Sequence, residues 1–144
     1  MDTGLQHLHS YLAYLVLAGV LISVVVALAG WFGNKPFTDK DRKIGLLGLI
    51  PAHLQWVIGI ILYFVSPLGI ESANEGFMKN AVARLYVLEH PLMMILAVVL
   101  ITIGYSKAKR QVGTGNGFKS IAIFYGIALV LILSRIPWHA WPGN

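Results

Sequence analysis

Four uninterrupted apolar runs leave this chain little freedom in what it can fold into. They extend about from Tyr11 to Phe32, Ile44 to Val65, Leu85 to Tyr105, and Ile121 to Trp138. Each holds roughly 18 to 22 residues, enough for a helix rising about 1.5 Å per residue to cross a ~30 Å hydrocarbon layer. In lipid only helices and closed barrels satisfy the backbone, and runs this long cannot be barrel strands. The expected fold is all-α: a transmembrane up-and-down four-helix bundle, one domain over residues 1–144, with the lipid bilayer as its surroundings. A composition of 57% hydrophobic and 12% charged residues fits, because it supplies too little polar surface to cover a soluble core.

The first helix is expected to begin ahead of Tyr11, since Thr3 and Gln6 fit a capping box. We expect this run to be a retained span. Ala27-Leu28-Ala29 looks like a cleavage site, but no basic residue precedes the run and it is longer than a signal core.

Charge sets the direction. Lys35, Lys40, Arg42 and Lys43 stand in the first connection and Lys107, Lys109, Arg110 and Lys119 in the third, eight of the eleven basic residues. The second connection has only Lys79 and Arg84, beside Glu71 and Glu75. Connections one and three should therefore be cytoplasmic and both termini periplasmic, in a bacterial inner membrane. The net charge of +5 forms no single stripe, so nucleic acid is not an expected partner. Gly33-Asn34-Lys35-Pro36 predicts a tight link that makes helices one and two neighbours. The longer second connection, around Pro67 to Lys79, should contain some ordered structure over the outer mouth. Gly113 to Gly117 precedes no strand and resembles a flexible turn, not a phosphate loop.

Helical spacing of 100° per residue sorts the faces. On helix one, His9, Ala13, Val16, Val20, Ser23 and Ala27 share a line, with His7 nearly opposite. On helix three, Tyr86, His90, Met94, Ala97, Ile101 and Gly104 do the same. On helix two, Gly45, Gly48, Ala52 and Gly59 form a small-residue seam roughly 100° from His53, with Trp56 and Tyr63 between. Small residues on such faces admit a neighbouring helix or a flat cofactor. Trp56 should lie near mid-membrane, hydrogen-bonded inside the bundle or lining a cavity.

Ionisable residues inside a membrane are functional hypotheses by default. The absence of cysteine excludes disulfides, thiolate metal sites and covalent haem attachment, leaving histidine, methionine and carboxylate as ligands. Counted along the helices, His53 is ~14 Å from the cytoplasmic end and His90 ~8 Å from the outer end. His9 lies about one and a half turns inside helix one, at a depth like that of His90. Neutral imidazole is a good haem-iron ligand, and bundles hold cofactors between facing helices. Depth favours His9 with His90 on diagonal helices; His90 with His53 is the competing pair. No histidine lies near the cytoplasmic surface, so one site in the outer half is expected, with Arg84 and Arg135 placed to meet haem propionates or to snorkel. Met93 and Met94 beside His90 leave copper as an alternative. His7 and His139, near helix ends, read as packing or headgroup residues. Glu89, the only acid inside an apolar run, is placed to pair with His7 or Arg84 or to relay protons.

Several segments resemble the small four-helix membrane proteins described as "cytochrome b", which are SirB/CopD-like and more distantly similar to one half of haem A synthase. They are His9-Ser10-Tyr11-Leu12, His53-Leu54-Gln55 with Gly59 and Leu62-Tyr63-Phe64, Glu89-His90-Pro91 with Met94, and Arg135-Ile136-Pro137-Trp138. The resemblance covers nearly the whole chain in order. It implies a haem b (iron) bundle with His9, His53 and His90 as functional positions, and one-electron transfer with a quinone or another membrane redox partner. Haem A synthase resembles two fused bundles; this chain holds one, with Leu49, Ile50 and Pro51 and no glutamate just before His53, so only a homodimer would restore the pair. The alternatives are a haem- or copper-handling binding protein, or a structural subunit of a larger membrane complex.

Overall fold

A computed structural model describes residues 2–114 and 116–142, with backbone alone for residues 2 and 3. Four helices carry the architecture: α1 (Asp2–Phe32), α2 (Asp39–Val65), α3 (Ala81–Lys109) and α4 (Asn116–Ser134). All four are long and apolar enough to cross a membrane, and no strand occurs among the described residues. Neighbours in sequence pack together and α4 closes the ring on α1, so α1 and α3 face each other across the diagonal. This is the up-and-down bundle the four runs imply.

The buried seams are those that helical spacing selects. Val16, Val20, Ser23 and Ala27 are buried on α1, Gly45, Gly48 and Ala52 on α2, and Ala97, Ile101 and Gly104 on α3. Their small side chains let backbones approach closely, which is how helices gain contact where lipid offers no hydrophobic drive. The α1–α2 seam shows the device. Pro51 has no N–H to give the carbonyl of Leu47, four residues earlier in α2. That oxygen lies where a Cβ of Gly19 would stand, so it meets the α-hydrogens of Gly19 instead.

At the end holding the two basic connections, the chain is tied shut. Thr38 caps α2 through a capping box with Asp41. Phe37 N donates to Thr114 O and Gly113 N donates to Phe37 O, both at 2.6 Å. The Phe37 ring is buried edge-on to Phe118, 5.1 Å between centres, and lies over Gly117. The described part of the Gly113–Gly117 stretch is thus bound to the first connection; Gly115 lies outside the described residues.

The other end is built differently. α1 does begin ahead of Tyr11, at Asp2, while the capping role read for Thr3 lies outside the described side chains. The second connection holds two short 3-10 turns, Ile70–Ser72 and Phe77–Lys79, before Asn80 caps α3. In α3 a π turn, Leu85–Glu89, follows the first α turn and immediately precedes His90. α4 stops at Ser134, short of the expected Trp138. Pro137 supplies no N–H and disfavours helix in the residue before it. Side chains take over the last carbonyls: Ser134 Oγ donates to Leu131 O at 2.7 Å, Trp138 Nε1 to Leu133 O at 2.9 Å, and Arg135 Nη1 to Ser134 O at 2.7 Å. Most fully buried residues of α1, α2 and α3 lie toward the basic end. Around His9 and His90 the residues are mostly half-buried, so the bundle is packed more openly toward its termini.

Candidate two-histidine site

His9 and His90 meet across the diagonal, their ring centres 6.3 Å apart and their planes 84° from each other. Two imidazoles that share one ion through bonds of about 2 Å have centres about 6 Å apart, so the spacing suits a shared ion. Each histidine is held by groups from other elements. His90 Nδ1 lies 2.9 Å from Arg135 O, just past the end of α4. A carbonyl only accepts, so Nδ1 carries the proton and Nε2 presents a lone pair. This second bond of a ring nitrogen to a carbonyl is the arrangement that orients metal-ligating histidines. On α1, Gln55 Nε2 donates to His9 O at 2.7 Å and Trp141 Nε1 to Ser10 O at 3.2 Å. Gly59 leaves the space for the ring: a Cβ there would stand 3.3 Å from His9 Cε1.

The turn before His90 follows from Pro91. Pro91 lacks the N–H that would bond Val87 O, and its ring crowds that carbonyl; the π turn and a new donor absorb both effects. The donor is Tyr63, whose hydroxyl lies 2.9 Å from Val87 O. Tyr63 therefore serves the backbone beneath the site and not the imidazoles themselves.

Beside His90, Glu89 stands between two arginines. Arg84 Nε donates to Glu89 Oε2 at 2.8 Å, and Arg135 Nε is 3.7 Å from Glu89 Oε1. The pairing of Glu89 with Arg84 is one the sequence suggested; the second arginine is an addition. Arg84 and Arg135 lie at this end as expected, already engaged by one carboxylate, which leaves one net positive charge.

Buried side-chain polar atoms without a hydrogen bond gather at the same place. His9 Nδ1, Gln55 Oε1 and Arg135 Nε are three of four such atoms among the described residues, although the Gln55 side chain bears on the His9 ring and Arg135 Nε faces Glu89 at 3.7 Å. Native interiors rarely leave such groups unmet, and a cluster of them is a reason to look for a bound group. The donor set also says which kind. No group of three or more histidines and carboxylates occurs among the described residues. A bare zinc ion takes four ligands, at least three of them from the protein in most sites, whereas haem iron brings four nitrogens of its own and needs only axial ligands. Two imidazoles are too few ligands for a zinc ion and are the number that a haem iron, with four ring nitrogens of its own, would take from the chain.

His53 is not part of this site. It is exposed on the outer side of the bundle, its Nε2 2.8 Å from Thr102 Oγ1, with Trp56 beside it. His7 is exposed near Tyr11, and His139 lies edge-on to Tyr86, its Nε2 3.4 Å from the hydroxyl. Gln55 and Trp141, which hold the turn of His9, were not singled out as site residues by the sequence; an amide or indole N–H at the depth of His9 is the signal that marks them. Comparison with known protein families, curated proteins and solved structures finds no match.

Proposed function

We propose that the chain is a membrane b-type cytochrome in which His9 and His90 are the axial ligands of one haem. The observation that carries this reading is the pair of imidazoles 6.3 Å apart on diagonal helices, one with its Nε2 freed by a bond to Arg135 O. The resemblance of the segments around His9, His90 and Arg135 to small four-helix cytochrome b proteins points the same way. Such a haem supplies a one-electron redox centre when bound. The chain's own contribution is to orient the imidazoles through Arg135 O, Gln55 and Trp141, and to set Arg84 and Arg135 near a propionate. The placing of eight of eleven basic residues in connections one and three supports periplasmic termini in a bacterial inner membrane, and with them a site near the outer face.

The test is a dithionite-reduced minus oxidised spectrum of the detergent-purified protein, with His9→Ala, His90→Ala and His53→Ala. A b-type α-band is expected in wild type and in His53→Ala, and is lost or shifted to a high-spin form in the other two. A band lost only in His53→Ala, or none in wild type after haem reconstitution, overturns the reading.

A further inference from the structure

The ring of His9 lies against α2. A Cβ on Gly59 would stand 3.3 Å from His9 Cε1 and 4.0 Å from Nδ1, so Nδ1 is the ring nitrogen nearer to that helix. It is buried there and makes no hydrogen bond among the described residues. One turn earlier on α2, Gln55 reaches the same histidine, its Nε2 donating to His9 O at 2.7 Å. A carbonyl only accepts, so the amide nitrogen is the atom turned to it and Oε1 is the atom left over. Oε1 is buried as well and has no donor among the described residues. The Gln55 side chain bears on the His9 ring, although Oε1 and Nδ1 do not come into hydrogen-bond geometry.

A neutral imidazole carries one proton, on either nitrogen. With the proton on Nε2, Nδ1 is an acceptor that the spare hydrogen of the Gln55 amide can serve, but Oε1 then stays without a donor. With the proton on Nδ1, a single bond from Nδ1–H to Oε1 meets both atoms. An unmet buried polar group costs about 1–3 kcal/mol, and hydrocarbon around the bundle offers no water to relieve it. The second arrangement removes two such groups at once.

We infer that Gln55 is a positioning residue that sets the tautomer of His9: its Oε1 holds the Nδ1 proton and leaves the Nε2 lone pair free. Arg135 O does the same for His90. Each imidazole is then served by one oxygen from a neighbouring element, a side-chain amide of α2 in one case and the main chain past α4 in the other. Both rings offer Nε2, and each has the second bond that orients metal-ligating histidines. What the free Nε2 of His9 ligates rests on the function proposed above; the tautomer is a property of the chain without iron.

The test is ¹⁵N spectroscopy of the histidine-labelled chain in micelles at alkaline pH, which separates protonated from unprotonated ring nitrogens. His9→Phe assigns the His9 signals. Wild type should carry the His9 proton on Nδ1. Gln55→Leu has no acceptor and should lower the ratio of Nδ1–H to Nε2–H about threefold to tenfold, the worth of one hydrogen bond. Gln55→Glu keeps an oxygen for Nδ1–H in either of its protonation states and should retain the wild-type tautomer. The His90 signals should be unchanged in both variants, which reports that the bundle is intact. In a hemin titration Gln55→Leu should bind more weakly by at most the same factor, because only one tautomer presents Nε2. A wild-type His9 protonated on Nε2 overturns the inference without recourse to any variant. So does an unchanged ratio in Gln55→Leu with the His90 signals in place, since Gln55 then acts only through its bond to His9 O. If hemin gives wild type no α-band, the cytochrome reading falls, and the tautomer found in the iron-free chain still decides this inference.

Discussion

Gly19→Ala tests how closely α1 and α2 must approach. A methyl group at Gly19 would stand 2.6 Å from the carbonyl carbon of Leu47 and 3.2 Å from Gly48 N, and nearer still to the Leu47 oxygen. These are backbone atoms, so no rotamer change can relieve the clash. Carbon contacts relax at about 3.5 Å, so α2 has to retreat by about 1 Å. Overpacking of this kind costs about 1–3 kcal/mol, and the C–H···O contact that replaced the bond missing at Pro51 is lost with it. Alanine's better helix propensity returns up to about 1 kcal/mol. The net expectation is a loss of about 1–2 kcal/mol. Gly126 is the internal control. It is also helical, yet a Cβ there meets nothing within 4 Å, so Gly126→Ala should keep the full propensity gain of up to about 1 kcal/mol. The two variants should differ by about 2–3 kcal/mol, roughly 30- to 150-fold in the folding equilibrium. The assay is a titration from mild detergent into dodecyl sulfate, followed by circular dichroism. The reasoning is refuted if Gly19→Ala unfolds no earlier than wild type, or if Gly126→Ala is the weaker of the two.

Two further outcomes follow from the ends of the bundle. Phe37→Ala removes a ring that is 1% exposed and joins the first connection to Gly117 and Phe118, and should cost at least about 3 kcal/mol in the same titration. A loss below about 1 kcal/mol would mean the two backbone bonds to Gly113 and Thr114 hold that end without the ring. Glu89→Gln leaves Arg84 and Arg135 facing each other without their anion. Because the three side chains are 29–42% exposed, the expected loss is only about 1 kcal/mol, shrinking as salt is raised. Thermal unfolding in detergent at two salt concentrations checks it, and a loss that grows with salt would contradict the ion-pair account.

The faces of the helices were legible because a straight helix repeats at a fixed angle. Val16, Val20, Ser23 and Ala27 could be placed on one line without coordinates, and so could Ala97, Ile101 and Gly104. Depth was legible for the same reason: residue counts from helix ends pair His9 with His90, and the two rings do meet. Ends set by proline and by side-chain donors were harder. Pro137 stops α4 early, and the carbonyls it exposes are taken up by Ser134, Arg135 and Trp138. Glu89 joins arginines from two separate segments, which no spacing within α3 reveals. Tyr63 looked like a cofactor residue, yet its hydroxyl answers the carbonyl that Pro91 leaves unbonded. A proline inside a span can therefore be read as a search rule: four residues earlier there is a carbonyl needing a donor. Applied to Pro51, the rule points to Leu47 and to the glycine that faces it.

The deeper limit concerns the imidazoles themselves. His53 and His90 are the same residue type, each inside an apolar helix, and one-dimensional reasoning treats them alike. What separates them is the partner of one ring nitrogen. His90 gives its Nδ1 proton to Arg135 O, which leaves Nε2 with a free lone pair. His53 gives its Nε2 proton to Thr102, which leaves Nδ1 as an acceptor in an outward groove. Position on the helix chooses the environment, but a single hydroxyl or carbonyl on a neighbouring element chooses the nitrogen. That choice decides which lone pair each imidazole offers, Nε2 at His90 and Nδ1 at His53.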